Sequence, residues 1–339
     1  MKTVFIIGAG ANVEIGMPCG KKLKQDIAKR LDFSLTSKDE PHAYPDVYKA
    51  LKVALGQYNK RIPERATEIK EAMPFSISID HFIDVRRNEP KISIVGRLAI
   101  VSSILDAEKN SSLYHFINDS NKKEEFTKTW YPLFFQKITE NCSFDDFERR
   151  LKNLSFIIFN YDRCFEFFMI HILQVIYKLN IENATYIVEK MNIIHPYGTV
   201  GKTSTTPLGA TLSDFEIANR AINSISTFSE DSEIPLDKRL GIKHLIDEAS
   251  RIIFLGFAYY QLNLDLLFNY DPLTGFTNPP PANNKIHCYG TGYNISKNDR
   301  KFIQNLLKKI DTRIKYCDIS GVTCTQFFNN FWHRLSFRD

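Results

Sequence analysis

Five short polar or glycine-rich groups stand directly after apolar runs. They are Gly8-Ala9-Gly10 after Val4–Ile7, Asn160-Tyr161-Asp162 after Ser155–Phe159, His195 after Met191–Ile194, Gly256 after Arg251–Leu255, and Gly290-Thr291-Gly292 after Lys285–Tyr289. A glycine turn can cradle a phosphate, because glycine takes positive φ, lets an anion approach and leaves backbone N–H groups uncovered. The dinucleotide fingerprint G-x-G-x-x-G is incomplete here: Val13 holds the place of its third glycine, and the next glycine is Gly16. A plain strand-to-helix turn uses the same residues. Asn160 and Asp162 can hydrogen-bond a ligand or cap the helix that follows. His195 is a base titrating near about pH 6.5 or a structural hydrogen-bonder. Asp80, His81 and Asp84 lie on the polar side of a short helix capped by Ser78, as a solvated face or a pocket-rim contact.

The elements that must position these groups follow from the apolar periodicity. Continuous β-branched and apolar runs read as strands buried on both faces, which is the pattern of a parallel sheet. Ile314–Tyr316 adds a candidate edge strand. Between the strands, helical spacing recurs over Gly20–Leu31, Ala43–Asn59, Pro63–Met73, Ile92–Leu105, Phe126–Ile138 and Cys164–Leu179. The expectation is an α/β, doubly wound parallel sheet in one domain, residues 1–339, with a mainly helical insertion at about 40–150. In such sheets ligands sit outside the carboxyl ends of the strands, where all five groups fall. Thr203–Glu233, rich in Ser and Thr, reads as a mobile flap over the pocket, and Asn278–Ala282 as a surface loop.

Composition narrows the function classes. Against 39 acidic residues there are 44 basic ones, a net charge of +5, too small and too dispersed to argue for nucleic acid. Arg149-Arg150-Leu151-Lys152 reads as a solvated helix end. No stretch has the roughly 18 apolar residues of a membrane span, and no charged region leads into a long apolar run near the start. The expectation is a cytoplasmic protein with no membrane partner. The six cysteines form no C-x-x-C pair, so a zinc module is not expected and the thiols are expected to be reduced. The aromatic segments around Trp130 and Phe327 read as core or as oligomer surfaces.

Taken together, Gly8-Ala9-Gly10-Ala11-Asn12, Gly16-Met17-Pro18, Asn160-Tyr161-Asp162 and His195-Pro196-Tyr197-Gly198 resemble the sirtuin superfamily. Within it, the chain looks like the divergent bacterial sirtuin-like NADases of anti-phage defence. Sirtuins carry a G-A-G-x-S type loop, a G-I-P-like continuation, an N-I-D strand end and a catalytic His followed by Gly. The resemblance implies a Rossmann-like, sirtuin-type fold and NAD as substrate. It implies catalytic roles for Asn160, His195 and Asp162: Asn160 positions water or ribose hydroxyls, His195 acts as general base or ribose-hydroxyl partner, and Asp162 fixes the ribose or nicotinamide side. Gly8, Ala9, Gly10, Asn12, Gly16, Pro18 and Tyr161 would line the cofactor site, with Gly256, Gly290 and Gly292 as the later glycines of the adenosine half.

The departures from the family pattern shape the expected activity. The zinc-binding cysteine pairs are absent, Asn12 replaces the loop serine, Cys19-Gly20 stands where deacylating members place Phe-Arg, and Pro196 follows the histidine. These argue against peptide deacylation and leave a pocket that can break the bond to nicotinamide. Nicotinamide is a cationic leaving group, so the C1′ bond can open through an oxocarbenium-like transition state without an acid on the leaving group. The expected activity is NAD hydrolysis to ADP-ribose and nicotinamide with no metal. The resemblance further implies a defence effector, switched on by a HerA-type ATPase, a short Argonaute or self-assembly into a homo-oligomer. The alternatives are a deacylase or ADP-ribosyltransferase on the same pocket, and a non-catalytic NAD or ADP-ribose sensor.

Overall fold

A computed structural model describes residues 1–33, 44–55, 61–119, 123–212, 215–225, 234–268 and 285–337. Its six strands are β1 (Thr3–Ile7), β2 (Leu154–Ile158), β3 (Asn192–Ile194), β4 (Arg251–Leu255), β5 (Ile286–Thr291) and β6 (Ile314–Ser320). They pair in the order β3-β2-β1-β4-β5-β6, all parallel. This is the doubly wound α/β arrangement expected, with β6 at the edge and longer than its apolar core indicated. The order reverses between β1 and β4, which makes the crevice above those two strands the topological switch point.

Strand alternation explains why the runs are apolar throughout. In β1, Val4 and Ile6 join one apolar cluster with Ile157, Ile252 and Phe254, while Phe5 and Ile7 join another with Phe156, Ile158, Ile253 and Leu255. Each face is covered by helices, so neither set of side chains meets water. On the first face lie Leu236–Glu248, Gln261–Phe268 and Lys297–Ile310, contributing Ile242, Leu264 and Leu307. On the second lies the inserted helical layer between β1 and β2, joined by Cys164–Tyr177 and Cys324–Phe331. The helix Pro90–Asn110 runs through that layer with Val95, Leu98, Val101 and Leu105 all buried; an apolar residue on every side is the mark of a fully enclosed helix.

Three expectations change. Trp130, Phe327 and Phe328 are 0% exposed, so of the two readings of the aromatic segments these rings take the core one. Trp130 stacks on Tyr131 at 4.1 Å between ring centroids, and Phe134 sits edge-on to Phe5 at 5.4 Å. Such rings each contribute on the order of 1.5–3 kcal/mol by burial, more than a surface position would return in the monomer. Second, Arg150 is buried rather than solvated, donating to the carbonyls of Ile138 (3.0 Å) and Glu140 (2.9 Å), while Arg149 stays exposed. Third, the first part of the expected mobile flap is pinned: Thr206, Leu208 and Leu212 are buried, and a helix follows at Phe215–Ser224. Residues 226–233, and the loop Asn278–Ala282, lie outside the described residues. All six cysteines are free thiols, as expected.

Candidate functional site

Strand register brings the sequence-selected groups to one level. Ile7 of β1 stands opposite both Ile158 of β2 and Leu255 of β4, so Gly8, Phe159 and Gly256 leave the sheet together. Ile157 of β2 stands opposite Ile194 of β3, which sets His195 beside the chain that ends in Asn160. The glycine loop, Asn160–Asp162, His195 and Gly256 therefore share the crevice edge.

The glycine loop differs from an open phosphate cradle. Gly8 leads into a 3-10 helix, Ala9–Ile15, ended by Gly16 at a φ of 89°. The amide of Gly8 donates to Leu255 O (2.9 Å), that of Gly10 to Gly256 O (3.0 Å) and that of Ala11 to Gly8 O (3.0 Å). A Cβ on Gly8 or Gly10 would stand 2.6 or 2.7 Å from Gly256 O, and one on Gly256 1.8 Å from the Ala11 nitrogen. The glycines thus let the β1 and β4 exits touch backbone to backbone. The expectation of uncovered N–H groups is corrected for these three amides; what the loop presents outward is the exposed Cα of Gly10 and half-buried Ala9.

Asn12, expected on the cofactor, is a buried tie. Its Oδ1 accepts from Tyr131 Oη (2.8 Å), and its Nδ2 donates to Asp162 Oδ1 (2.8 Å). The same Asp162 oxygen accepts the Cys164 amide (3.1 Å), the first of the helix Cys164–Tyr177. Asp162 is therefore the joint between the glycine loop and the β2 exit. Burial, the largest effect, and the negative charge of Glu108 push its carboxyl up to about 6, against the opposing bonds from Cys164 and Asn12. Trp130 fixes the loop from behind through Nε1–H to Ala11 O (2.9 Å), and Glu14 accepts the Thr325 amide (3.0 Å).

Asn160 is different. It is 4% exposed, and neither its Oδ1 nor its Nδ2 has a hydrogen-bond partner among the described residues. A buried amide with both ends unmatched costs on the order of 1–3 kcal/mol, and natural proteins keep such groups where a ligand or water completes them. Its backbone carbonyl takes Nδ1 of His195 at 3.1 Å, while His195 Nε2 meets Glu166 Oε1 at 2.8 Å. Burial lowers the imidazole pKa; the charge and hydrogen bond of Glu166, the Asn160 carbonyl and the charge of Asp162 outweigh it, and the net shift is upward.

The remaining residues sort by place. Tyr161 is buried and its hydroxyl donates to Asp80, the one member of the Asp80-His81-Asp84 group that reaches the site; His81 is exposed. The Asp80 carboxyl is raised by burial, against the Tyr161 bond. Tyr197, beyond His195, donates to Asn263 Oδ1 at 2.7 Å. Pro18 is buried ahead of the helix Gly20–Arg30. Gly290 lies inside β5, where the absent Cβ gives room to Tyr259, and Gly292 packs against Arg300 and donates to Ser320 O. Those two glycines are accounted for by packing at β5.

Sequence reasoning missed Glu166 and the ion pair of Arg163 with Glu108. The pair is 1% and 0% exposed, at 2.6 Å, and Arg163 also holds the carbonyls of Thr206 and Pro207. It clamps residues 206–209 across the β2 exit. Glu166 follows Asn160 by six residues, on the first helical turn, where a carboxylate reads as ordinary helix-dipole complement. An open cleft of about 170 Å³ between Arg30, Tyr44, Asp46, Asp106 and Lys109 holds none of the sequence-selected residues. Among the described residues no group of three or more His, Cys, Asp or Glu is placed to hold a metal ion, and no helix is long and apolar enough to cross a membrane. No family model matches the chain, and no curated protein does.

Proposed function

We propose that this chain hydrolyses NAD to ADP-ribose and nicotinamide in the crevice above β1, β2 and β4. The observation that carries the reading is the buried, unpartnered amide of Asn160 at the switch-point edge, one residue from the tie between Asp162 and the glycine loop. An amide offers a donor and an acceptor together, which suits a ribose hydroxyl or the water that attacks C1′. In this reading Asn160 touches the ribose or the water, His195 lies beside it, and Asp162 positions the loop without touching substrate. Gly10 and Ala9 form the floor over which the pyrophosphate passes. The resemblance to sirtuin-like defence NADases supports the same substrate, and with it a cytoplasmic effector switched by assembly, by a HerA-type ATPase or by a short Argonaute.

One observation favours a second reading, a nucleotide sensor without turnover: both ring nitrogens of His195 are already engaged within the protein. Purified protein incubated with NAD, its products separated by chromatography, decides between them. Nicotinamide and ADP-ribose should appear in the parent and vanish in Asn160→Ala and His195→Ala. Binding of NAD by calorimetry with no product would mean a sensor or an effector awaiting its partner, and no binding would end both readings.

A further inference from the structure

We propose that Glu166 is the group that receives the proton of the attacking water, with His195 held beside it as the imidazolium that fixes its carboxylate. The inference rests on the NAD-cleavage reading and changes which residue is the base. His195 Nδ1 faces the Asn160 carbonyl, which can only accept, so Nδ1 carries hydrogen. Beside an ionised Glu166, a neutral ring would point the bare Nε2 lone pair at Oε1, 2.8 Å away, where two acceptors repel; the upward shift of His195 places the shared proton on the ring. The arrangement closes when Nε2 is also protonated and the pair is imidazolium and carboxylate, with side chains 10% and 13% exposed. An imidazolium has no lone pair with which to take a proton. The histidine is therefore a positioning residue, and the basic atom left over is Glu166 Oε2.

That oxygen is buried and has no partner among the described residues, the same condition as both ends of the Asn160 amide. One imidazole ring spans from Glu166 to the Asn160 backbone, so the two residues that carry the three unmatched atoms flank the same histidine. They offer a donor and two acceptors, one of them anionic. The charged and titratable groups facing the pair are few. Asp162 comes from the β2 exit, Lys238 of Leu236–Glu248 donates to His195 O at 2.8 Å, and the Cys164 thiol and Tyr131 hydroxyl are pushed up by burial; Glu108 is paired with Arg163.

The step balances without a further reagent. The C1′–N bond breaks with its electron pair going to the nicotinamide ring nitrogen, which becomes neutral. The water oxygen forms the C1′–O bond, and its proton goes to Glu166 Oε2 and then to solvent. A carboxylate is a weak base, but an oxocarbenium-like centre needs only that its captured water lose a proton as the bond forms.

Two measurements on the full chain test this. Long-range ¹H–¹⁵N correlation on histidine-labelled protein should show His195 protonated on both nitrogens at pH 7, and protonated on Nδ1 alone in Glu166→Gln. A neutral ring in the parent at pH 6 would overturn the proposal whatever the variants do. NAD turnover should fall by roughly 10²-fold or more in Glu166→Gln, with NAD binding kept and part of the rate restored in Glu166→Asp. Parent-like turnover in Glu166→Gln, beside an inactive Asn160→Ala, removes Glu166 as the base while leaving NAD cleavage standing. A parent that binds NAD and never cleaves it, whether concentrated for assembly or in phage-challenged native cells that hold its partners, removes the underlying reading and the base assignment together.

Discussion

Asn160 and Asp162 are two residues apart and do opposite work. The Asn160 amide contributes nothing to the fold, since no described group meets it, so Asn160→Ala should leave the thermal midpoint equal to or slightly above that of the parent while abolishing turnover. Differential scanning fluorimetry beside the NAD assay checks both halves; a midpoint lowered by about 3 °C or more, roughly 2 kcal/mol for a chain of this length, would assign the residue to structure instead. Asp162 is a structural acid in an unfavourable place. Its folded pKa, about 6, lies above the unfolded value near 3.8, so the native state holds a proton that the unfolded chain has released. The Asp162 contribution to stability is therefore fully present below about pH 4 and is lost as pH rises through about 6, by on the order of 2–3 kcal/mol. Asp162→Asn keeps an oxygen for Asn12 and Cys164 without the charge. Urea unfolding should show its advantage over the parent growing from pH 4 to pH 7.

At the scale of elements, the crevice depends on two strand exits lying against one another. Gly256 has a φ of 56°, and its added Cβ would overlap the Ala11 amide. Gly256→Ala should therefore cost several kcal/mol, from strain plus the displaced loop, and shift Gly8–Asn12 away from Asp162. Gly20 is the contrasting case: it opens the helix Gly20–Arg30, nothing lies within 4 Å of its added Cβ, and Gly20→Ala should be neutral or stabilising by roughly 0.5–1 kcal/mol. Chemical denaturation of the two variants side by side tests the argument. The strands were legible because residues buried on both faces must be apolar throughout, and β4 matches its expected bounds of Arg251–Leu255. The character of the turn after β1 was not legible. Gly8-x-Gly10 has the same letters whether glycine makes room for a phosphate or for another backbone, and only the parallel neighbour β4 decides which.

For the whole molecule, the aromatic interior makes a distinction between folding and assembly that can be measured. Trp130 is enclosed by Tyr131, Phe134 and Phe328 and donates to Ala11 O. Trp130→Ala should cost about 3–5 kcal/mol and loosen the glycine loop, with no change in the solution mass of whatever folded protein remains. Multi-angle light scattering together with unfolding curves would expose an interface role as a change in mass without a comparable loss of stability.

By itself the sequence determined the α/β class, the strands and the crevice edge, because hydrophobic periodicity and strand-end chemistry are local properties of the chain. It also named Asn160, His195 and Asp162, which stand at or just past the ends of apolar runs. The tertiary structure decided what each one does. Whether an asparagine is satisfied, whether a histidine faces a carboxylate from a helix 29 positions earlier, and whether glycines meet a ligand or Gly256 depend on neighbours distant in sequence. Those contacts arise only when parallel strands are laid side by side by long crossovers, so no local pattern records them.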